Sequence, residues 1–236
     1  MCHTGLVWKR TVAGRILHFY LAGINNQNFL MRDNETGTWW QQVTGKAIFG
    51  PLRGSTLEWI ANDELTFALW KTESPAGQVL VPVSSDLKNY ESNWEPKVSK
   101  LPVVISFKES GLADRDVVVG LEIRNTLRAY PMKALSPESP IEDRVAGIPI
   151  LLAVGPDGKS VRGFVRQVNG SETDFFRKSE SREWTLMDSY TGSDWNFQGC
   201  SIRGAAVGIC LERIAILKDY WFDWRNYHPT TSVYRH

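Results

Sequence analysis

The sequence predicts a mainly β protein with a few short helices, arranged as two related β-rich units. Three observations predict it. Apolar and polar residues alternate in short runs, the period of half-buried strands. Glycine and asparagine punctuate those runs at hairpin spacing. And DNETGTWW at 33–40 returns as DSYTGSDW at 188–195, an offset of 155.

Each element follows in chain order. RILHFYLAG (15–23) and VRGFVRQV (161–168) alternate at period two and read as strands. TVAGR and VNGSE are hairpin turns, because Gly14 and Asn169-Gly170 can take positive φ. KAIFG, STLEWI, CSIRG and ICLERI are short strands joined by glycine turns. A helix is predicted over 62–74, with Asn62 as its cap and Pro75 as its stop, and another over 217–228, stopped by Pro229. Val117–Ile123 and Ile148–Val154 are apolar strands.

The repeat extends beyond its first eight residues. At an offset of 154, Gly45, Ile48, Gly50, Gly54, Leu57, Glu58 and Ile60 recur in 199–214, and Trp70, Pro75 and Val79 meet Trp224, Pro229 and Val233. At an offset of 156, Arg10, Val12, Gly14 and Phe19 meet Arg166, Val168, Gly170 and Phe175. The expected organisation is a first unit at 1–80, a connection at 81–112 and a second, complete unit at 113–236. The second has a lead of strands before the repeated part; the first has none after Met1. LPVVISF in the connection could supply a substitute strand.

Composition narrows the function. The chain has 236 residues, enough to bury roughly 70–75% of its unfolded surface. Its net charge is +1, from 27 basic and 26 acidic residues with no basic run, which argues against nucleic acid and anionic membrane as partners. No apolar stretch approaches the ~20 residues of a membrane span, and residues 1–15 lack the apolar core of a signal peptide. There is no nucleophile elbow, phosphate loop, dinucleotide fingerprint or His-x-x-x-His pair.

Several residues stand out. Asp33 and Thr36 recur as Asp188 and Thr191, in the pattern of a side chain closing a turn on backbone N–H groups. That recurrence assigns them a structural role, and Trp40 and Trp195 a core one. In TWWQQ, Trp39 and Gln41 are candidates for stacking and hydrogen-bonding a sugar ring or other flat ligand. Cys200 and Cys210 flank a hairpin, where they are either cross-strand bridge partners or small core residues. His18 is an edge or surface residue, and His228 sits where it can complement helix-terminal carbonyls.

With GLEIRNTLRAYPMKAL…DRVAGIPILL, CHTGLVWKR, LMRDNETGTWWQQVTGKAIFGPLRG and a Trp-bearing helix before proline, the chain resembles the family catalogued as domain of unknown function 3179. The resemblance covers 2–80 and, as a complete but degenerate copy, 113–236. It implies a Cys-x-x-Cys site, of which Cys2 matches the second cysteine; the first would fall ahead of Met1. In the second unit Gly155 and Gly158 occupy the cysteine positions, so that copy reads as scaffold. Cys2 and His3 are the metal candidates: a thiolate–imidazole pair for Cu or Zn in an incomplete shell. The family resemblance also implies an extracytoplasmic location. Two other readings stand beside it: a non-catalytic binding or scaffolding module using exposed aromatics, and a degraded gene product without activity.

Overall fold

The computed structural model describes residues 3–108, 111–179, 181 and 183–235. Its helices in chain order are α1 (Phe67–Glu73), α2 (Trp94–Val98), α3 (Met132–Glu138) and α4 (Trp221–Tyr227). Strands dominate the rest, as the alternating patterns predict.

Two four-stranded antiparallel meanders anchor the fold. The first runs Phe19–Asn25, Asn28–Asp33, Trp39–Gln41 and Ala47–Phe49. The second runs Phe175–Arg177, Leu186–Asp188, Asp194–Trp195 and Ser201–Arg203. Each packs one tryptophan inward: Trp40 against Leu17, Ala47 and Leu57, and Trp195 against Phe164, Phe175 and Leu186. A phenylalanine meets each indole edge-on, Phe19 at 5.8 Å and Phe175 at 5.6 Å between centroids.

The correspondence extends to backbone register. Val7–Lys9 pairs with Glu58–Ile60, placing Trp8 opposite Trp59; Val161–Val165 pairs with Arg213–Ile214, placing Phe164 opposite Arg213. Gly45 and Gly199 both take positive φ, and a Cβ there would strike the Trp8 and Phe164 rings respectively. The isolated bridge Lys46–Thr56 recurs as Cys200–Cys210. Both α1 and α4 end with a cap N–H donating to a tryptophan carbonyl, Trp70 and Trp224. These are equivalent positions at the sequence offsets of 154 to 156.

Two further sheets have four strands each. Val117–Ile123 lies between Thr126–Pro131 and Leu217–Tyr220, while Ile148–Val154 lies between Ile141–Val145 and Val161–Val165. Both central strands have the predicted bounds, and their near-continuous burial reflects cover on both faces. Leu135 of α3 joins Val119, Leu121, Ile150 and Leu152 in the core between the sheets. Among the described residues Val7–Lys9 has Glu58–Ile60 as its strand partner, with no counterpart of Ile148–Val154.

Four local expectations need correction. The first helix starts later than the pattern suggests: Thr66, not Asn62, caps α1 by accepting from the Leu69 N–H, while Asn62 donates to the Gly5 carbonyl. Leu217–Tyr220 is strand rather than helix, because its backbone pairs with Val117–Gly120. Long-range pairing overrides a local helical pattern here. RILHFYLAG breaks at Leu17–His18 into two strands, where the Leu17 N–H donates to Arg10 and the side chain enters the core. The connection supplies no strand among its described residues; it holds a 3₁₀ turn at Ser84–Asn89 and α2.

Candidate functional site

Two helices pack on distant parts of the chain, α1 on the core of the second meander and α4 on residues of 1–80, which makes two junctions. At one, Leu65 and Leu69 from α1 and its approach pack with Trp184 and Phe197 on the second-meander core. Thr66 fastens this junction: its N–H donates to Ser160 Oγ (3.2 Å) and its hydroxyl to Asp157 Oδ2 (2.7 Å). A Cβ on Gly155 would press on the Phe197 ring, and buried Arg162 pairs here with Asp63 and with Glu73 of α1. At the other junction, Trp221 and Trp224 of α4 pack with Leu6, Val43 and Trp59.

The second junction differs in chemistry. At the offset of 154, Asp219 and Asp223 stand where the first has Leu65 and Leu69. Both carboxyls are fully buried. Asp219 Oδ1 accepts the N–H of Tyr220 (2.7 Å) and that of His3 (3.4 Å). Asp223 Oδ2 accepts from Asn28 Nδ2 at 2.9 Å. Asn28 is in turn held by Gln41 Nε2 (3.0 Å), and Gln41 accepts from Asn25 Nδ2 (3.4 Å). The other oxygens, Asp219 Oδ2 and Asp223 Oδ1, have no hydrogen-bond donor. They can bond to one another only when one carries a proton.

Electrostatics agree with that geometry. Burial pushes the Asp219 carboxyl well above the ordinary range, and the neighbouring Asp223 raises it further. Burial raises Asp223 to about 6, against the opposing bond from Asn28. Both directions favour retention of a proton by the pair.

His3 leads from this pair into solvent. Its ring lines a cleft of about 520 Å³ together with Glu64, Glu95, Arg115, Lys218 and Tyr220. Nδ1 lies 3.7 Å from Glu64, Nε2 3.9 Å from Glu95, and the Tyr220 ring meets the imidazole edge-on at 5.5 Å. Glu64 is also bound by Lys218 at 2.8 Å. Among the described residues no three His, Cys, Asp or Glu side chains converge in a metal-holding arrangement. Cys2 lies outside the described residues.

The sequence from 1 to 231 matches the family described as Protein of unknown function (DUF3179). The chain belongs to this family. No curated protein and no solved structure matches it. DUF3179 membership therefore fixes the kinship of nearly the whole chain without supplying a reaction.

The remaining DUF3179 candidates fall in separate places. Asp33 closes its turn as the sequence pattern implies, accepting the Thr36 N–H (2.6 Å), the Thr36 hydroxyl (2.8 Å) and Trp40 Nε1 (2.8 Å). Asp188 does the same with the Thr191 N–H (2.5 Å), its hydroxyl (2.6 Å) and Trp195 Nε1 (2.9 Å). Burial alone would raise both carboxyls; the tryptophan, threonine and backbone donors together hold both below the ordinary aspartate value. Gln41 is buried with its amide bonded to Asn28, inside the fold rather than on a ligand surface. Trp39 is half-buried in an outward cross-strand row, Tyr20–Arg32–Trp39–Phe49, with the Arg32 guanidinium 5.8 Å from its ring centroid. Cys200 and Cys210 are bridged. His18 is exposed and bonded to Glu35, and buried His228 places Nδ1 3.0 Å from the Trp224 carbonyl. No helix among the described residues is long and apolar enough to cross a membrane.

Proposed function

We propose that this protein binds a soft or borderline metal ion, Cu or Zn, through a site centred on Cys2 and His3. The observation that carries the reading is the anchoring of His3: its backbone N–H points to buried Asp219 while its ring enters the cleft between the units. With Cys200 and Cys210 tied to each other, Cys2 is the remaining thiol of three. A dithiol cycle within one chain is thus disfavoured, and a thiolate beside an imidazole is a metal-binding pair. Part of the proposal is that 1–80 and 113–236 are copies of one ancestral unit joined by 81–112, with only the first retaining the site. The Cys200–Cys210 bridge supports an extracytoplasmic location.

Metal titration tests the reading. The full chain should take up one Zn²⁺ or Cu⁺ per molecule, and bound Co²⁺ should show a thiolate charge-transfer band that Cys2→Ser abolishes. Absence of stoichiometric uptake, or uptake indifferent to Cys2→Ser, would refute it.

A second reading is favoured by one observation. The outward row Tyr20–Arg32–Trp39–Phe49 becomes Phe176–Met187–Asp194–Arg203 in the other meander, so the scaffold does not require its aromatics. Such a row could stack a sugar or another flat ligand. Quenching of tryptophan fluorescence by oligosaccharides, lost in Trp39→Ala, would support this binding-module reading; no quenching would end it.

A further inference from the structure

From a second cleft, independent of the metal-site reading, we infer that the protein binds a neutral carbohydrate between α1 and the second meander. The cleft has a volume of about 750 Å³. Phe67 and Trp70 of α1 line it, with ring centroids 5.5 Å apart and planes tilted by 32°. Phe67 is 64% exposed and Trp70 is half-buried. The polar lining is an ion-pair network. Buried Arg162 donates to Asp63 from Nε (3.1 Å) and Nη2 (2.7 Å), and to Glu73 from Nη1 (2.8 Å) and Nη2 (2.6 Å). Arg213 donates to Asp63 as well. Gln198, from the turn between Trp195 and Ser201, is exposed in the same cleft.

Comparison with α4 sets this cleft apart from a packing joint. At the offset of 154, Phe67 and Trp70 stand where α4 has Trp221 and Trp224, each 1% exposed. Asp63 and Glu73 stand where Leu217 and Tyr227 are, and at the offset of 156 Arg162 stands where Leu6 is. Those five α4-side residues belong to one apolar cluster. Gly77 stands where Thr231 accepts the Trp224 indole N–H (3.0 Å), so the Trp70 indole lacks that acceptor. An ion-pair clasp between α1 and the second meander accounts for Arg162, Asp63 and Glu73. It does not account for two aromatic rings left lining an open cleft.

The chemistry of the lining selects the class of ligand. Two carboxylates and two guanidiniums cancel in charge, so the cleft draws neither an anion nor a cation. A carboxylate offers about four acceptor sites. Asp63 receives three N–H bonds and Glu73 two, which leaves acceptor capacity on both. The Gln198 amide and the Trp70 indole add donors. A sugar hydroxyl donates and accepts at once, which suits a wall that holds both. The C–H face of a pyranose stacks on rings such as Phe67 and Trp70, whose bodies are apolar. A concave site with an aromatic wall and a few placed polar groups has the general form of a small-ligand pocket.

Calorimetric titration of the full chain tests the inference. The probes are cellotetraose, chitotetraose, maltotetraose and mannotetraose, with tetragalacturonate and the glucosamine tetramer as charged counterparts. The proteins are the parent, Phe67→Ala, Trp70→Ala and, as a control outside the cleft, Trp39→Ala. At least one neutral tetrasaccharide should bind the parent, and Phe67→Ala and Trp70→Ala should each weaken it about tenfold. Trp39→Ala should leave the affinity unchanged. If no neutral tetrasaccharide binds more tightly than about 10 mM, the inference is overturned. Binding indifferent to both Phe67→Ala and Trp70→Ala overturns it too, and a loss confined to Trp39→Ala would move the sugar to the outward row of the first meander. Tighter binding of either charged tetramer than of every neutral one would refute the ligand class. Should Trp70→Ala not fold, Phe67→Ala decides, because its ring is 64% exposed and supports no core.

Discussion

Replacing Asp33 by alanine should destabilise the protein by about 3 kcal/mol. The carboxylate receives the indole N–H of Trp40 and two donors from Thr36, and Trp40 is completely buried. Its removal strands a buried N–H, at about 1–3 kcal/mol, and deletes bonds to a charged acceptor, each contributing roughly 1.5–3 kcal/mol before relaxation. The sum is not additive, since one carboxylate serves all of them; about 3 kcal/mol is the central value. For a chain of this length it corresponds to roughly 6–12 °C in Tm. Urea denaturation of the parent, Asp33→Ala, Trp40→Phe and the double variant measures both the loss and the coupling. A cycle energy of about 1 kcal/mol or more is expected between the two side chains.

The pH dependence adds a second readout. The Asp33 pKa is lower in the folded state than its usual 3.8. A depressed carboxyl contributes stability that is present above its unfolded value and lost as pH falls through the folded one. The gap between parent and Asp33→Ala should therefore stay constant from pH 7 down to about 4 and close below that. A loss under about 1 kcal/mol, or a gap indifferent to acid, would refute the assignment of Asp33 as the charged anchor of Trp40.

Two further outcomes follow from the second unit. Breaking the Cys200–Cys210 bridge, by reduction or Cys200→Ser, opens a short loop and should cost about 2–3 kcal/mol in urea denaturation; a change within error would show that the bridge does not constrain the unfolded chain. Burial lowers His228 to about 4 from 6.5, with Lys46 opposing its charge, so protonation favours the unfolded state. Stability should be full above pH 6.5 and fall toward pH 4, by up to about 3 kcal/mol, and His228→Gln should flatten that slope.

Legibility in the sequence depended on whether local pattern and tertiary demand agreed. Val117–Ile123 and Ile148–Val154 were readable because continuous apolar runs suit strands covered on both faces. Asn169 and Gly170 betrayed their hairpin by tolerating positive φ, which both adopt. Leu217–Tyr220 misled because its neighbours are helical and its strand partner lies far upstream, at Val117–Gly120. The Pro102–Phe107 stretch has strand composition but finds no sheet edge. Asp219 and Asp223 escaped notice as a buried pair because carboxylates at i and i+4 ordinarily mark a solvated helix face. The available signal was comparative: the alignment that joins Trp70 to Trp224 sets these aspartates against the apolar residues Leu65 and Leu69.

That comparison also weighs the energetics of the site. Two buried carboxyls carry a desolvation penalty of several kcal/mol, and replacing buried ionic groups by apolar ones of similar volume is often neutral or stabilising. The other junction places Leu65 and Leu69 at the aligned positions, and it too buries charge, with Arg162 paired to Asp63 and Glu73. One shared proton lets Asp219 Oδ2 and Asp223 Oδ1 bond one another, which offsets part of that penalty. The Asn28–Gln41 chain satisfies one further oxygen, Asp223 Oδ2. Apolar replacement would remove both the desolvation penalty and the need for a shared proton. The stability of Asp219→Leu/Asp223→Leu tests that logic apart from any metal: the variant should be as stable as the parent or more so. A loss above about 3 kcal/mol would instead make the pair a structural necessity of this junction.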